Sequence, residues 1–292
     1  MRILHLDAGR EMRGGQWQVL RLIEGLAVDG VECTLLARGG GPLFEAAGQR
    51  GWAVEPLAFT RLLLLAGRHQ LVHAHDARTH TMAVMAGCEP LVVSRRVAFD
   101  IRSRWKYSRA NRFLAVSEFV KSVLVRSGIP AAKINVVYDG VPILEPAHGH
   151  SVLAPAHGDP RKGTDIAREA ARLAGVELKL STSLERDLRD AGIFLYITHS
   201  EGLGSGALLA MSAGVPVIAS KTGGLPEIVE HRKAGLLVPN EPAAIAEAIR
   251  ELRANPDFAR RLGEAGRRRV LKDFTVDHMV RRTMDVYRQV LP

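Results

Sequence analysis

The sequence predicts an α/β protein made of two Rossmann-like parallel-sheet halves. Three observations carry this reading. Short apolar runs ending in Gly or polar residues alternate with segments of helical periodicity. The alternation pauses at "VPILEPAHGHSVLAPAHGDPRKG", where Pro, Gly and His crowd together and helical spacing is lost. A second α/β series then begins, so a domain boundary falls near Pro146.

"RILHLDAG" is a buried strand ended by Gly. In "REMRGGQWQVLRLIEGLAVDG" the apolar residues Val19, Leu22, Ile23 and Leu26 recur at helical spacing, and Gly30 stops the pattern. "VECTLLARGG" is a second strand, "GPLFEAAGQRG" a short helix and "AVEPLA" a third strand. "HQLVHAHD" is a fourth strand with a polar end, "ARTHTMAVMAG" a helix and "PLVVSRR" a fifth strand. "FLAVS" and "INVVYDG" are strands separated by the helix "EFVKSVLVRSG". This is the rhythm of a doubly wound parallel sheet.

In the second half "DIAREAARLAG" is a helix and "VELKLS" a strand. "SLERDLRDAG" is a helix and "IFLYITHS" a strand. "ALLAMSAG" and "VPVIAS" follow as helix and strand, then "LPEIVEH" and "AGLLVP". Two long helices, from about Ala243 and from about Val276, finish the chain. Ligands of open α/β sheets sit at the carboxyl ends of strands. In a paired architecture those ends face each other across a cleft, so the informative residues lie just after strands.

At 292 residues and 47% hydrophobic, the chain supports two modest cores, and nothing in its composition suggests extended disorder. Two cysteines, each in an apolar segment, give neither a disulfide framework nor a C-x-x-C metal spacing. "MRILHLDAGR" lacks the apolar core of a signal peptide, and the run Leu62 to Leu65 is too short to span a bilayer. The expected location is cytoplasmic. A net charge of +9 favours anionic partners: nucleic acid, acidic lipid headgroups or phosphorylated small molecules.

Several strand ends carry candidate chemistry. Arg13-Gly14-Gly15-Gln16 either brings backbone N–H groups close to a phosphate or sugar, or is a plain tight turn. It is not the G-x-G-x-x-G of a dinucleotide site. His73, His75 and Asp76 end the fourth strand. They admit three readings: metal ligands without an evident third partner, polar lining of a cleft, or structural histidines. Arg95 and Arg96 suit a carboxylate or phosphate. "RSRWKYSRANR" adds Arg102, Arg104, Lys106, Arg109 and Arg112 around Trp105 and Tyr107. It is either a solvated basic helix or a surface for an anionic acceptor or membrane. No nucleic-acid module surrounds it.

Arg161-Lys162-Gly163 precedes a helix and offers fixed charge beside backbone donors, as a diphosphate requires, but it is no P-loop. Glu201 with Gly202, Leu203, Gly204, Ser205 and Gly206 is the strongest local pattern. The glycines let a ligand approach backbone amides, and the carboxylate accepts sugar hydroxyls. The alternative is a helix-start carboxylate stabilised by the dipole. Gly223 and Gly224 form a similar turn after the next strand, so two glycine turns share one pocket floor.

Taken together, "RGGQWQVLRLIEGLAVDG", "LVHAHDAR", "FLAVSEFVKSVLVRSGIPAAKINVVYDGV", "RKGTDIAREAA", "SEGLGSGALLAMSAGVPVIASKTGGLPEIVEHRKAGLLVP" and "FTVDHMVRRTMDVYRQVL" resemble the retaining glycosyltransferases of family 4, of GT-B fold. The set covers most of the chain in the family's order. The stretch around "SRRVAF" resembles the subgroup associated with lipopolysaccharide and other cell-envelope glycans. The resemblance implies an acceptor-side domain over 1–146, a nucleotide-sugar domain over 147–274, and a last helix, 275–292, crossing back to the first domain. It implies transfer of a hexosyl-type sugar with retention and without an essential metal or other cofactor. The acceptor it implies is a glycan or lipid-linked molecule. From the basic run, the inner face of the cytoplasmic membrane is a candidate surface beside the cytoplasmic location, and nucleic acid is not expected as a partner.

By the same resemblance Lys162 contacts the diphosphate and Glu201 the donor sugar hydroxyls. Residues Gly202 to Gly206 cradle sugar and phosphates, Arg161 assists, and Gly14-Gly15 closes over the diphosphate. His75, Asp76, Arg95 and Arg96 line the acceptor side. Electrostatic stabilisation of the leaving diphosphate is the main task of the protein.

Three departures stand out. The family has E-x7-E, whose second acid binds the donor ribose, whereas this chain has Leu209. Losing a charged hydrogen bond costs roughly 1.5–3 kcal/mol. The Arg common before the "KG" lysine is replaced by "LAPAHGDP", and Arg96 stands where many members carry His. A strand–helix–strand passage between "VELKLS" and "SLERDLRDAG" is absent, so the second domain is expected to be short. These departures bear on turnover more than on fold. They leave a non-catalytic GT-B binding protein as the alternative, with a sugar-nucleotide epimerase as a weaker third.

Overall fold

A computed structural model describes residues 1–101, 105–156 and 158–291. The expected basic positions Arg102 and Arg104 lie outside the described residues. The chain forms two compact units, Met1–Gly140 with Val276–Pro292, and Val141–Thr275.

The first unit holds β1 (Arg2–Leu6), α1 (Gly14–Val28), β2 (Glu32–Ala37), α2 (Pro42–Gln49), β3 (Ala53–Pro56), α3 (Phe59–Ala66) and β4 (Leu71–Ala74). It continues with α4 (Ala77–Met85), β5 (Leu91–Arg95), α5 (Trp105–Ser108), β6 (Arg112–Ala115), α6 (Glu118–Arg126) and β7 (Ile134–Val136). All neighbouring strands pair parallel, in the order β3-β2-β1-β4-β5-β6-β7. The inner strands β1, β4, β5 and β6 are buried along most of their length, as strands covered on both faces are.

The second unit holds β8 (Ser151–Pro155), α7 (Thr164–Ala174), β9 (Leu178–Ser181), α8 (Leu184–Asp187), β10 (Ala191–Tyr196), α9 (Ser205–Ser212), β11 (Val217–Ser220) and α10 (Leu225–Ile228). It ends with β12 (Leu236–Val238), α11 (Pro242–Ala254) and α12 (Pro256–Asp273). Its five parallel strands run β12-β11-β10-β8-β9. The last helix, α13 (Val276–Val290), belongs to the first unit. It buries Met279, Val280, Thr283, Met284 and Tyr287 at helical spacing. Met279, Val280, Met284 and Tyr287 join Ile3, Leu22, Leu26, Leu71 and Val92 in one core cluster.

Four expectations change. "SVLAP", inside the stretch read as a linker, is β8 and pairs with both β9 and β10. Flanking His, Gly and Pro hid it, because only three of its residues are apolar and buried. The single long helix expected from Ala243 is two, α11 and α12, because Pro256 has no N–H to continue the first. The helix read over "SLERDLRDAG" shrinks to one turn plus a 3-10 turn. Finally, α3 was not anticipated. Leu62 and Leu65 point inward while Leu63 and Leu64 are exposed, so a solid Leu run masks the helical period.

Candidate functional site

In the second sheet the chain passes from β8 outward to β9 and then back to β10 on the other side. The winding direction therefore reverses between β8 and β10, and a crevice opens beyond their carboxyl ends. Lys162 follows β8 and Glu201 follows β10. The two are 39 residues apart in sequence, yet Lys162 Nζ lies 2.9 Å from Glu201 Oε2.

Local geometry makes this meeting possible. Residues Pro160–Lys162 form a 3-10 turn, and Gly163 takes φ +61 at the start of α7. A Cβ on Gly163 would lie 2.8 Å from the Ile197 carbonyl oxygen, so only glycine lets the turn press against the end of β10. The His199 N–H donates to the Arg161 carbonyl at 2.9 Å and fixes the contact. The Tyr196 hydroxyl also donates to Glu201 Oε2, at 2.9 Å, and the Gly202 N–H donates to Oε1 at 3.0 Å. Three donors thus orient one carboxylate whose side chain is 15% exposed, beside an ammonium whose side chain is 30% exposed.

The glycines also have packing reasons. Gly204 has φ +108 and a Cβ there would strike Leu225 at 2.6 Å; one on Gly206 would lie 2.9 Å from the Tyr196 ring. A Cβ on Gly223 would sit 1.9 Å from the Glu201 carbonyl oxygen, and one on Gly224 2.1 Å from that of Gly202. The Gly224 N–H donates to the Glu201 carbonyl at 3.2 Å. The two glycine turns after β10 and β11 are therefore in direct contact. The amides at the start of α9 are donors that no preceding helical turn satisfies.

The remaining residues of this group divide. Ser205 and Gly206, in the first turn of α9, are half-buried. Leu203 is 1% exposed, so it can offer a ligand only its backbone. Arg161 pairs with Asp159 at 2.7 Å, and its hydrogen bonds hold that carboxyl down at about 2. Leu209 is buried at 5% exposure in α9, whose sequence carries no acid at any position.

In the first sheet the winding reverses between β1 and β4. Gly14 and Gly15 open α1 after β1, while His75 and Asp76 follow β4. Asp76 is committed structurally. Its Oδ1 accepts the Arg78 and Thr79 N–H groups at 2.8 and 3.0 Å, which caps α4, and its Oδ2 accepts the Ala8 N–H at 2.6 Å. Asp7, which no motif singled out, accepts from Gly9 N–H at 2.8 Å and from the Gln16 amide at 3.1 and 3.2 Å. Burial pushes its carboxyl above the usual range.

The adjacent arginines part. Arg95 bonds the Tyr107 hydroxyl at 3.3 Å and the Phe99 carbonyl, tying down the segment after β5. Arg96 Nε bonds Asp139 Oδ1 at 3.2 Å, and its Cδ lies 3.9 Å from where a Cβ of Gly15 would be. Its buried Nη1 has no partner among the described residues. Ser94, Arg96, Asp139 and Thr283 line a cavity of about 10 Å³, room for roughly one water.

His75 turns inward. Its Nε2 lies 3.0 Å from His5 Nδ1, while His73 joins the Tyr287 hydroxyl at 2.6 Å and Ser94 Oγ at 2.8 Å. One nitrogen from each of the three rings falls within 4.8 Å of the others, a grouping the sequence did not reveal because His5 is on another strand. Both ring nitrogens of His73 are engaged, by Tyr287 and by Ser94, so a cation there would compete for one of them. His5 Nε2 and His75 Nδ1 are buried without hydrogen-bond partners among the described residues. Burial holds all three imidazoles neutral, with His5 pushed down to about 3.

Comparison with known proteins follows the same division. A family model described as Glycosyltransferase Family 4 matches residues 12–143, and one described as Glycosyl transferases group 1 matches 166–269. Together they span most of the chain. The chain belongs to the GT-B glycosyltransferases. The crystal structure of HepE from Anabaena in complex with UDP-glucose superposes on this glycosyltransferase with a TM-score of 0.87 at 18% identity, covering 99% of this chain and 100% of that one. Alpha-maltose-1-phosphate synthase of Mycolicibacterium smegmatis is 38% identical over 110 residues, 35% of this chain and 28% of the relative. A GDP-mannose-dependent alpha-(1-6)-phosphatidylinositol monomannoside mannosyltransferase of Mycobacterium tuberculosis is 42% identical over 89 residues, 30% of this chain and 23% of the relative. The chain thus spans half or less of the length of the curated relatives it matches. No helix among its described residues is long and apolar enough to cross a membrane.

Proposed function

We propose that the protein transfers a hexosyl-type sugar from a nucleotide-sugar donor to a glycan or lipid-linked acceptor of the cell envelope, with retention of configuration. The observation that carries this is the Lys162–Glu201 pair at the β8/β10 reversal, set beside two touching glycine turns. In this reading Lys162 meets the diphosphate as charge develops on it. Glu201 accepts donor sugar hydroxyls, and the α9 amides and Arg161 add donors. The bond from the anomeric carbon to the diphosphate oxygen breaks as the acceptor oxygen bonds that carbon, and the departing diphosphate oxygen takes the acceptor proton. Lys162 and the backbone amides, not a metal, meet the charge of the leaving diphosphate. Within the first unit, Gly14 and Gly15 offer backbone donors to a phosphate or sugar, and Arg96 is offered to the acceptor. Arg95, His75 and Asp76 shape that surface from behind.

Two features support the reading. HepE, with its UDP-glucose, is a chain of the same extent, so a short second domain is compatible with holding such a donor. A relative dependent on GDP-mannose shows that the donor base differs among similar proteins. The test is a thermal-shift and calorimetric screen over UDP-, GDP- and ADP-sugars, followed by turnover in EDTA. Binding at one hundred times Kd adds about 2.7 kcal/mol of stability. Lys162→Ala and Glu201→Ala should then abolish turnover. Failure of every sugar nucleotide to bind would sink the proposal.

Leu209 favours a second reading, a GT-B protein that binds without efficient turnover. Binding of a donor with neither transfer nor donor hydrolysis would identify it. We also propose peripheral attachment to the cytoplasmic face of the membrane. Val97, Phe99 and Trp105 are 42%, 52% and 53% exposed beside Lys106 and Arg109, an apolar and cationic surface suited to anionic headgroups.

A further inference from the structure

Tyr196 ends β10, five residues before Glu201, in a strand otherwise made of apolar residues. Its hydroxyl donates to the same carboxylate oxygen, Glu201 Oε2, that Lys162 reaches, each at 2.9 Å. The two donors differ in how they are held. The Tyr196 ring is 8% exposed and stacks on Phe194 at a centroid distance of 6.1 Å. It also lies close against the first turn of α9, where a Cβ on Gly206 would come within 2.9 Å of it and one on Gly204 within 3.5 Å. This packing fixes the ring and aims its hydroxyl at Glu201. The Lys162 ammonium sits at the end of four methylenes, half-buried, and can swing.

The consequence concerns what happens when a diphosphate draws Lys162 away. Glu201 then loses its cation, and a carboxylate with one backbone donor would rotate. The phenol remains, with the Gly202 N–H on the other oxygen. A neutral donor orients the carboxylate without cancelling its charge, so its free lone pairs stay available to sugar hydroxyls. We propose that Tyr196 is a positioning residue that keeps Glu201 in its sugar-accepting pose once Lys162 has moved to the phosphates. It thereby sets the preference for a nucleotide sugar over the bare nucleoside diphosphate. This rests on the transferase reading above.

The experiment compares wild type and Tyr196→Phe by calorimetry with UDP-glucose and UDP, GDP-mannose and GDP, and ADP-glucose and ADP. The substitution removes one oxygen and keeps the ring that packs on Gly206. The expected result is a loss of about tenfold in affinity for the sugar nucleotide, with the matching diphosphate unchanged within about twofold. Turnover should show the loss in KM more than in kcat. Equal affinities in wild type and variant, or parallel loss for sugar nucleotide and diphosphate, overturns the role of Tyr196 alone. The same comparison is made with whichever sugar nucleotide the donor screen identifies if these three do not bind. A wild type that binds no sugar nucleotide in that screen overturns the transferase reading, and this inference with it.

Discussion

Replacing Gly223 by Ala tests whether the two glycine turns form one rigid floor. The added Cβ would lie 1.9 Å from the Glu201 carbonyl oxygen and 3.2 Å from its nitrogen. Backbone, not a flexible side chain, stands in the way. Relieving the contact requires the 201 and 223 turns to separate by more than an ångström. The residue also has φ +57, where an L side chain costs roughly 1–2 kcal/mol. Overpacking adds about 1–3 kcal/mol, for a total of roughly 2–5 kcal/mol. For a unit of this size each kcal/mol shifts Tm by about 4 °C, so a fall of roughly 8–20 °C is expected by calorimetry. Because the carbonyl that moves belongs to Glu201, affinity for a nucleotide sugar should fall together with Tm. A variant melting within about 2 °C of wild type would refute the claim that these turns are pressed together.

Other outcomes follow from single features. Gly48→Ala, in α2 with nothing within 4 Å of the added methyl, should stabilise the protein by up to about 1 kcal/mol, and a lowered Tm would contradict this. The buried imidazoles should make the first unit acid-sensitive. Their folded affinities for protons lie below the ordinary 6.5, with His5 at about 3 and His80 at about 4. Above pH 6.5 both states are neutral and nothing changes. Below it the unfolded chain gains protons the folded chain refuses, so each such histidine costs about 1.4 kcal/mol at pH 5.5. A Tm for the first unit that does not drop between pH 7.5 and 5.5 would oppose this, with Asp7 acting weakly in the other sense. The protein should bind anionic vesicles in a salt-sensitive way, and Phe99→Ala with Trp105→Ala should weaken binding about tenfold or more. Equal binding to neutral vesicles would count against that surface.

Much of the architecture was legible in local order. All seven strands of the first sheet and four of the five in the second were readable from apolar runs closed by Gly or polar residues. The fifth, β8, was not, because a short central strand needs only three buried residues and its neighbours are those of a loop. Likewise α3 was hidden by a solid Leu run that carries no period. In the site, Lys162, Glu201 and both glycine turns were visible because each sits at a strand end. Tyr196 was not, since one hydroxyl in an apolar strand reads as core until its partner is known. The absence of an acid at Leu209 stood out only against the pattern of the family the chain resembles, and the structure adds that this side chain is buried.

What the sequence by itself determined is therefore a property of neighbours along the chain. Periodicity marks elements, and the residues that end them mark where ligands can approach. What only the tertiary structure decided is which of those ends meet. Lys162 and Glu201 become a pair because β8 and β10 adjoin across a reversal in winding. His5 and His75 become partners because β1 and β4 adjoin, and His73 reaches Tyr287 because α13 returns to the first unit. The glycines show both levels at once. Their number is read from the sequence, but the reason for each is the atom it makes room for, and that atom comes from another part of the chain.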